Sequence, residues 1–238
     1  MKIALIGYGK MGKEIEKIAL ERNHEIVLKI DIDNQDEFTP ENLQKCDVAI
    51  EFTIPETAYP NFMKCFEAGI PLVSGTTGWN DKSDEVIKYI EDNGKAFFFT
   101  SNFSLGVNIL FNVNEHLAKI MNKFPDYQVA MEEIHHIHKL DAPSGTAISL
   151  ASDIIKNVDR KSEWILDTPS SGDKIGIKAI REDEVPGTHI IKYQSAIDDI
   201  EIKHEAHNRK GLALGAVLAA EFIRGKTGVF SMKDLLGL

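Results

Sequence analysis

Along the first third of the chain, short apolar runs alternate with stretches whose apolar residues recur every three or four positions: KIALIG, KEIEKIALER, HEIVLKID, CDVAIEFT, ETAYPNFMKCFEAG and PLVSGTT. That rhythm predicts strands joined by crossover helices, hence a parallel sheet. The strand runs are β-branched and apolar without strict alternation, as expected when both faces are covered. After a predicted helix over FSLGVNILFNVNEHLAKIMNKF the pattern changes. YQVAMEEIHH is expected to be a strand, and PSGTAISLASDIIKN a helix opened by Pro143 or Ser144. KIGIKAIRE, GTHIIKYQSAI and DIEIKHEAH alternate with period two, the mark of a sheet with one polar face. GLALGAVLAAEFIRG is small and apolar around nearly its whole circumference, so this closing helix should be buried.

The expected fold is α/β. A Rossmann-type parallel-sheet domain spans residues 1–106 with 209–238, and a smaller, mainly antiparallel or mixed α+β domain spans 107–208. The 43% of hydrophobic residues supplies ample core. A formal net charge of −10, with no basic stripe interleaved with aromatics, argues against a nucleic-acid partner. No apolar stretch approaches bilayer length, and the start lacks a cleavage pattern, so no membrane span or signal peptide is expected. Cys46 and Cys65 stand far apart without CxxC spacing, which fits buried thiols in a reduced cytoplasm.

Candidate chemistry begins at ALIGYGKMGKEI, where Gly7, Gly9 and Gly12 take the GxGxxG spacing directly after a strand and at the opening of a helix. Gly7 permits the tight turn, Gly9 lets the backbone approach a pyrophosphate, and Gly12 allows close packing of helix on strand. The helix start, through Tyr8, Lys10 and Met11, offers free amides and a positive dipole to phosphates. Asp31 closes the next strand 19 residues after Gly12, where an acid would grip the adenosine ribose, and Asp33 competes for that role. Ile32 stands where a guanidinium would receive a 2′-phosphate, so NADH is expected to be favoured over NADPH, with Lys29 or Lys10 as potential rescuers of NADPH. The competing reading is a structural βαβ turn.

EEIHHIHKLDAPSGTA, residues 132–147, packs three of the chain's eight histidines against a lysine and a PSGT turn. A zinc site would use His135, His136 and His138, but in a strand His135 points opposite to the other two, and no HExxH or cysteine cluster helps. No metal is expected. A solvated polar loop is the bland reading. The third is a site for an anionic substrate: Lys139 brings a cation, Ser144, Gly145 and Thr146 form a helix start, and a histidine can deliver a proton.

Together with the glycine loop these residues resemble the dihydrodipicolinate reductase family of the diaminopimelate route to lysine. Glu133, Ile134, His135, Lys139, Asp141, Pro143, Ser144, Gly145, Thr146 and Ala147 match its signature segment. VAIEFTIPE resembles the family's FTxPE segment with Phe52 and Thr53, and GTTGW its GTTG loop with Gly75, Thr76 and Thr77. TSNFSLGVN is similar to the segment that joins the domains, with Thr100, Ser101, Asn102 and Phe103, and GVFSMKDLLGL to the C-terminal tail. The resemblance implies NAD(P)H-dependent reduction of 4-hydroxy-tetrahydrodipicolinate, with the loops just named on the cofactor. It implies His135 as general acid, Lys139 as second donor or charge partner, and His136 with Gly145 and Thr146 on the substrate carboxylate. It also implies homotetramers built through the second domains. The chain departs from the family in its plain GxGxxG loop, in Ile32, and in a shorter segment near residues 160–190.

Other polar residues receive plainer readings. Arg209 is expected to be solvated or capping, His204 and His207 to lie on a sheet surface, and Asp141 to orient Lys139 or shape the turn before Pro143. Trp79 and Phe97, Phe98 and Phe99 fit core or strand. Two alternatives compete with the reductase: another α/β dehydrogenase of small amino or imino acids, and a dinucleotide sensor without turnover.

Overall fold

The computed structural model describes residues 1–208 and 210–238; Arg209 lies outside the described residues. The chain forms two compact units, Met1–Leu105 with Lys210–Leu238, and Gly106–Arg209. The first begins β1 (Lys2–Ile6), α1 (Lys10–Glu21), β2 (Glu25–Ile30), a 3₁₀ turn (Ile32–Glu37), α2 (Pro40–Leu43), β3 (Val48–Glu51) and α3 (Pro55–Glu67). It continues with β4 (Leu72–Ser74), α4 (Ser83–Asn93) and β5 (Ala96–Phe99). The second unit holds most of α5 (Leu105–Met121), then β6 (Gln128–His135), α6 (Gly145–Asn157), β7 (Glu163–Leu166), β8 (Lys174–Arg181), β9 (Gly187–Gln194) and β10 (Asp199–Ala206). The chain closes in the first unit with α7 (Lys210–Ile223), β11 (Gly228–Phe230) and α8 (Met232–Leu236).

The first sheet is parallel in the order β11-β5-β4-β3-β1-β2. Residues alternate between its two covered faces: Ala4 and Ile6 join Phe62, Phe66 and Ile90, whereas Ile3 and Leu5 join Ile15, Val217 and Ala220. The predicted closing helix, α7, is buried along Ala213, Ala216, Val217 and Ala220. It lies so near the chain that a Cβ on Gly215 would come within 1.8 Å of the Phe103 carbonyl oxygen. Because β1 sits between β2 and β3, the winding reverses at the carboxyl end of β1, where crevices of such sheets bind ligands.

The second sheet runs β10-β9-β6-β8-β7 and is mixed: β6–β8 and β7–β8 are parallel, β6–β9 and β9–β10 antiparallel. It is therefore less antiparallel than the period-two pattern suggested, because alternation reports a half-covered face and says nothing of strand direction. Its core packs Val129, Met131, Ile177, Ile191 and Tyr193 against Leu110 and Met121 of α5 and Leu150 and Ile154 of α6. The strand predicted through the histidine stretch stops at His135; Ile137 donates its amide to the Asp183 carbonyl and Lys139 to that of His136, which turns the chain away. No helix among the described residues is long and apolar enough to cross a membrane, and Cys46 and Cys65 are free and buried.

Candidate active site

The three loop glycines separate by cause. Gly7 has φ +90° and a Cβ there would lie 2.0 Å from the Phe52 carbonyl oxygen, while a Cβ on Gly12 would lie 2.3 Å from that of Gly7. Both are fixed by the protein's own packing. Gly9, the N-cap of α1, would meet no protein atom within 4 Å. The open space lies before the free amides of the α1 start, where a pyrophosphate would sit.

A crevice of about 460 Å³ opens there, lined among others by Gly7, Gly9, Asp31, Ile32, Phe52 and Thr53. Asp31 follows β2, and its carboxylate accepts from the Ile32 amide at 2.9 Å. Ile32 is 87% exposed. Lys29 is turned to Glu16, 3.2 Å away, and lies over the Tyr8 ring, whose hydroxyl also donates to Glu16.

The other expected cofactor residues have mixed exposure. Lys10, Thr77 and Ser101 are exposed, Tyr8, Met11, Gly75 and Thr100 are half-buried, and Thr76 is buried. The Thr100 hydroxyl accepts from the Asn102 amide at 3.1 Å. Phe103 is 2% exposed with its ring in the core, so what it offers a ligand is backbone.

In the second unit β6 exposes and buries alternate residues, which puts Glu133 and His135 on the covered face with Val129 and Met131. Register does the rest. Antiparallel pairing sets Glu133 opposite His189 of β9, and parallel pairing sets His135 opposite Arg181 of β8. Glu133 is fully buried; its Oε2 lies 2.8 Å from His135 Nδ1 and its Oε1 accepts from Arg181 at 2.9 Å and from the Ser144 amide at 3.1 Å. Burial alone would raise the Glu133 pKa, but the His135 ring, the Ser144 amide and Arg181 outweigh it and hold the carboxyl at about 2. Burial, then the charge of His135, pushes His189 down to about 4, so it is neutral at neutral pH.

His135 Nε2 faces Gly187, where a Cβ would come within 3.0 Å of it. Lys139 holds both Asp141 oxygens at 2.8 Å, so Asp141 does orient the lysine. Arg181 clamps this loop by donating to the carbonyls of Asp141 at 2.6 Å and Lys139 at 3.3 Å.

Ser144 caps α6, its hydroxyl accepting from the Ala147 amide at 3.2 Å and lying 3.2 Å from His189 Nε2. It is thus turned inward, and the segment offers a ligand the first-turn amides of Gly145 and Thr146. Like Gly9, Gly145 would meet no protein atom within 4 Å of an added Cβ. The His136 and His138 rings lie 6.1 Å apart, and His138 pairs with Glu184 in the open at 3.2 Å. Ligand atoms of Glu133, His135 and His189 do lie within 4.8 Å of one another, but Arg181 and His135 Nδ1 already engage that carboxylate.

Three participants were missed as site residues. Glu133 was legible only as a signature match, although its i, i+2 relation to His135 was a signal; His189 and Arg181 carry no local signal, because strand register alone brings them in. His204, expected on a sheet surface, is half-buried with its ring packed on Gly106: a Cβ there would lie 2.7 Å from Nε2. His207 is exposed.

A glycine loop at the switch point of a doubly wound sheet, with an acid at the far end of its crevice, defines the first unit as an NAD(P)-binding domain of a pyridine-nucleotide-dependent reductase. The family model for the dihydrodipicolinate reductase N-terminus matches residues 1–103, and that for the C-terminus residues 106–236. The chain belongs to the dihydrodipicolinate reductase family. A Christiangramia forsetii protein named 4-hydroxy-tetrahydrodipicolinate reductase is 50% identical over 238 residues, covering 99% of this chain and 98% of its own. A Methanopyrus kandleri protein of the same name is 39% identical over 206 residues, 83% of this chain and 74% of its own. The solved structure of dipicolinate-bound dihydrodipicolinate reductase from Paenisporosarcina sp. TG-14 matches with TM-score 0.79 over 98% of both chains at 22% identity, a likeness of fold.

Proposed function

We propose that the chain reduces 4-hydroxy-tetrahydrodipicolinate to tetrahydrodipicolinate with loss of water, using NADH in preference to NADPH, as a step of lysine biosynthesis. The observation that carries this reading is His135 held on buried Glu133, with Lys139 four residues on and held by Asp141, and the open helix start at Gly145, in a family of reductases. A reduced nicotinamide, when bound, supplies the hydride. Residues of the second unit supply the rest. The amides of Gly145 and Thr146, with His136, hold a substrate carboxylate. His135 or Lys139 protonates the negative charge that develops on the imine-conjugated system. Glu133 holds the His135 ring through Nδ1 and leaves Nε2, beside Gly187, as the ring nitrogen that would give up the proton, as an orienting acid does in other histidine catalysts. The assay supplies dihydrodipicolinate synthase product and follows NADH loss; no turnover would overturn the proposal.

Gly9 and Asp31 would hold the cofactor's pyrophosphate and ribose. The NADH preference is supported by Ile32, not an arginine, following Asp31 in the crevice, and by Lys29 being engaged with Glu16. We expect kcat/KM to be higher with NADH; a clear NADPH preference would refute it. Ile32→Arg should raise kcat/KM for NADPH by about tenfold, the scale of one charge-assisted contact.

The proposed domain limits are 1–106 with 209–238 for cofactor, and 107–208 for substrate and oligomerisation. A cytoplasmic homotetramer is the assembly proposed, supported by the family resemblance and the free cysteines, and mass measurement in solution tests it.

A further inference from the structure

Glu51, the last residue of β3, is, with Glu133, one of the two fully buried acids among the described residues, and the chemistry proposed above does not use it. Among the described residues no lysine, arginine or histidine meets its carboxylate; three hydroxyls do. Ser74 Oγ donates to Oε2 at 2.6 Å, Thr76 Oγ1 donates to Oε1 at 2.9 Å, and Thr53 Oγ1 donates to Oε1 as well.

The direction of each bond is set from the other side. Ser74 Oγ accepts from the Thr76 amide at 3.2 Å, and Thr76 Oγ1 accepts from the Thr53 amide at 2.8 Å. Thr53 Oγ1 accepts from the Thr57 hydroxyl at 3.0 Å and the Asn61 amide at 3.3 Å. With their oxygens so engaged, all three hydroxyls turn their hydrogens to Glu51, which sees donors only. Charge-assisted bonds of this kind are about twice as strong as neutral ones, and here they act against the penalty of burying a carboxylate without cancelling it.

The result is a cross-link between two loops. Residues 52–54 line the dinucleotide crevice, as do Thr57 and Asn61. Residues 75–77 are locked to them through Thr76 and by Gly75, where a Cβ would lie 2.2 Å from the Phe52 ring. The Trp79 indole donates to the Thr76 carbonyl at 2.7 Å and anchors the second loop from below.

We propose that Glu51 is a positioning residue for cofactor binding, acting through Thr53 and Thr76 to hold loops 52–54 and 75–77 in the shape that receives the dinucleotide. Glutamine in its place keeps the size but points an amide N–H₂ at hydroxyls that already donate. One of them must then turn its hydrogen away and lose the bond it donates to residue 51, which loosens the tie between the loops.

This inference rests on the reductase reading for its kinetic arm, and NADH titration by fluorescence tests it without any dicarboxylate. Failure of wild-type turnover would therefore break the function and leave the binding test intact. Glu51→Gln is expected to raise both the NADH dissociation constant and KM for NADH by about tenfold, with kcat at saturating NADH within about twofold and KM for the dicarboxylate unchanged. Thr76→Val should weaken NADH to a similar degree, and the double variant should be no worse than the weaker single one. NADH affinity like wild type in folded Glu51→Gln overturns the proposal, as do effects that simply multiply in the double variant. If Glu51→Gln does not fold, Ser74→Ala, which leaves the carboxylate two donors, is measured in its place. About threefold weaker NADH binding is then expected, and wild-type binding overturns the proposal.

Discussion

Glu51 and Glu133 are two glutamates on central strands, both fully buried, one in each unit. Around Glu51 the partners are neutral hydroxyls, and burial outweighs the Ser74, Thr53 and Thr76 bonds, so its pKa is raised. Around Glu133 burial acts the same way, but the His135 ring, the Ser144 amide and Arg181 reverse it to about 2. Burial sets the penalty, and the charge of the neighbours decides which state survives it. The first arrangement shapes a loop pair; the second fixes a histidine ring and a helix start as well as a charge.

If the two regions divide the work in this way, His135→Gln should show the largest effect: kcat lower by on the order of 10² to 10⁴, with the NADH dissociation constant unchanged in a fluorescence titration. A matching loss of NADH affinity would erase the distinction.

Acid stability comes next. Since the Glu133 pKa is lowered to about 2 from 4.5, its stabilisation is present above about pH 4.5 and is lost as pH falls through 2. It amounts to about 3 kcal/mol. Glu133→Gln should lower the urea midpoint at pH 7 and flatten that acid limb. The raised value of Glu51 has the opposite sign: its contribution is present at low pH and lost as pH rises through that value, so Glu51→Gln should leave the acid limb in place.

His189, lowered to about 4 from 6.5, loses its contribution between those pH values as the solution is acidified, an effect no larger than that of Glu133. His189→Asn should flatten the profile there while leaving NADH binding alone; an unchanged profile would show that the ring is not held neutral.

The smallest structural effect is expected at the two glycines with open space before them. Gly9→Ala and Gly145→Ala should each keep Tm within about 2 °C. Gly9→Ala should raise KM for NADH, and Gly145→Ala KM for the dicarboxylate. The same parameter rising in both variants would break the assignment of one ligand to each unit.

Much of this was legible in local pattern. The β1–Gly7–Gly9–Gly12–α1 order, the position of Asp31 after β2 and the cap at Ser144 all follow from contiguous residues, because turns, caps and helix starts are made by neighbours in the chain. The short strands β7 and β11 were not, since three or four residues at a sheet edge carry too little periodicity to stand out. Strand direction in the second sheet was equally hidden.

What the sequence by itself determined is the doubly wound first unit, the dinucleotide loop and the candidate pair His135 and Lys139, each encoded within a few adjacent positions. The tertiary structure alone decided that Glu133 is paired with Arg181 and faces His189, that Ser144 turns inward, and that Glu51 ties two loops together. Those contacts depend on which strands lie side by side and in what register. Register is settled by the packing of whole sheet faces against their helices, and no short stretch of sequence contains it.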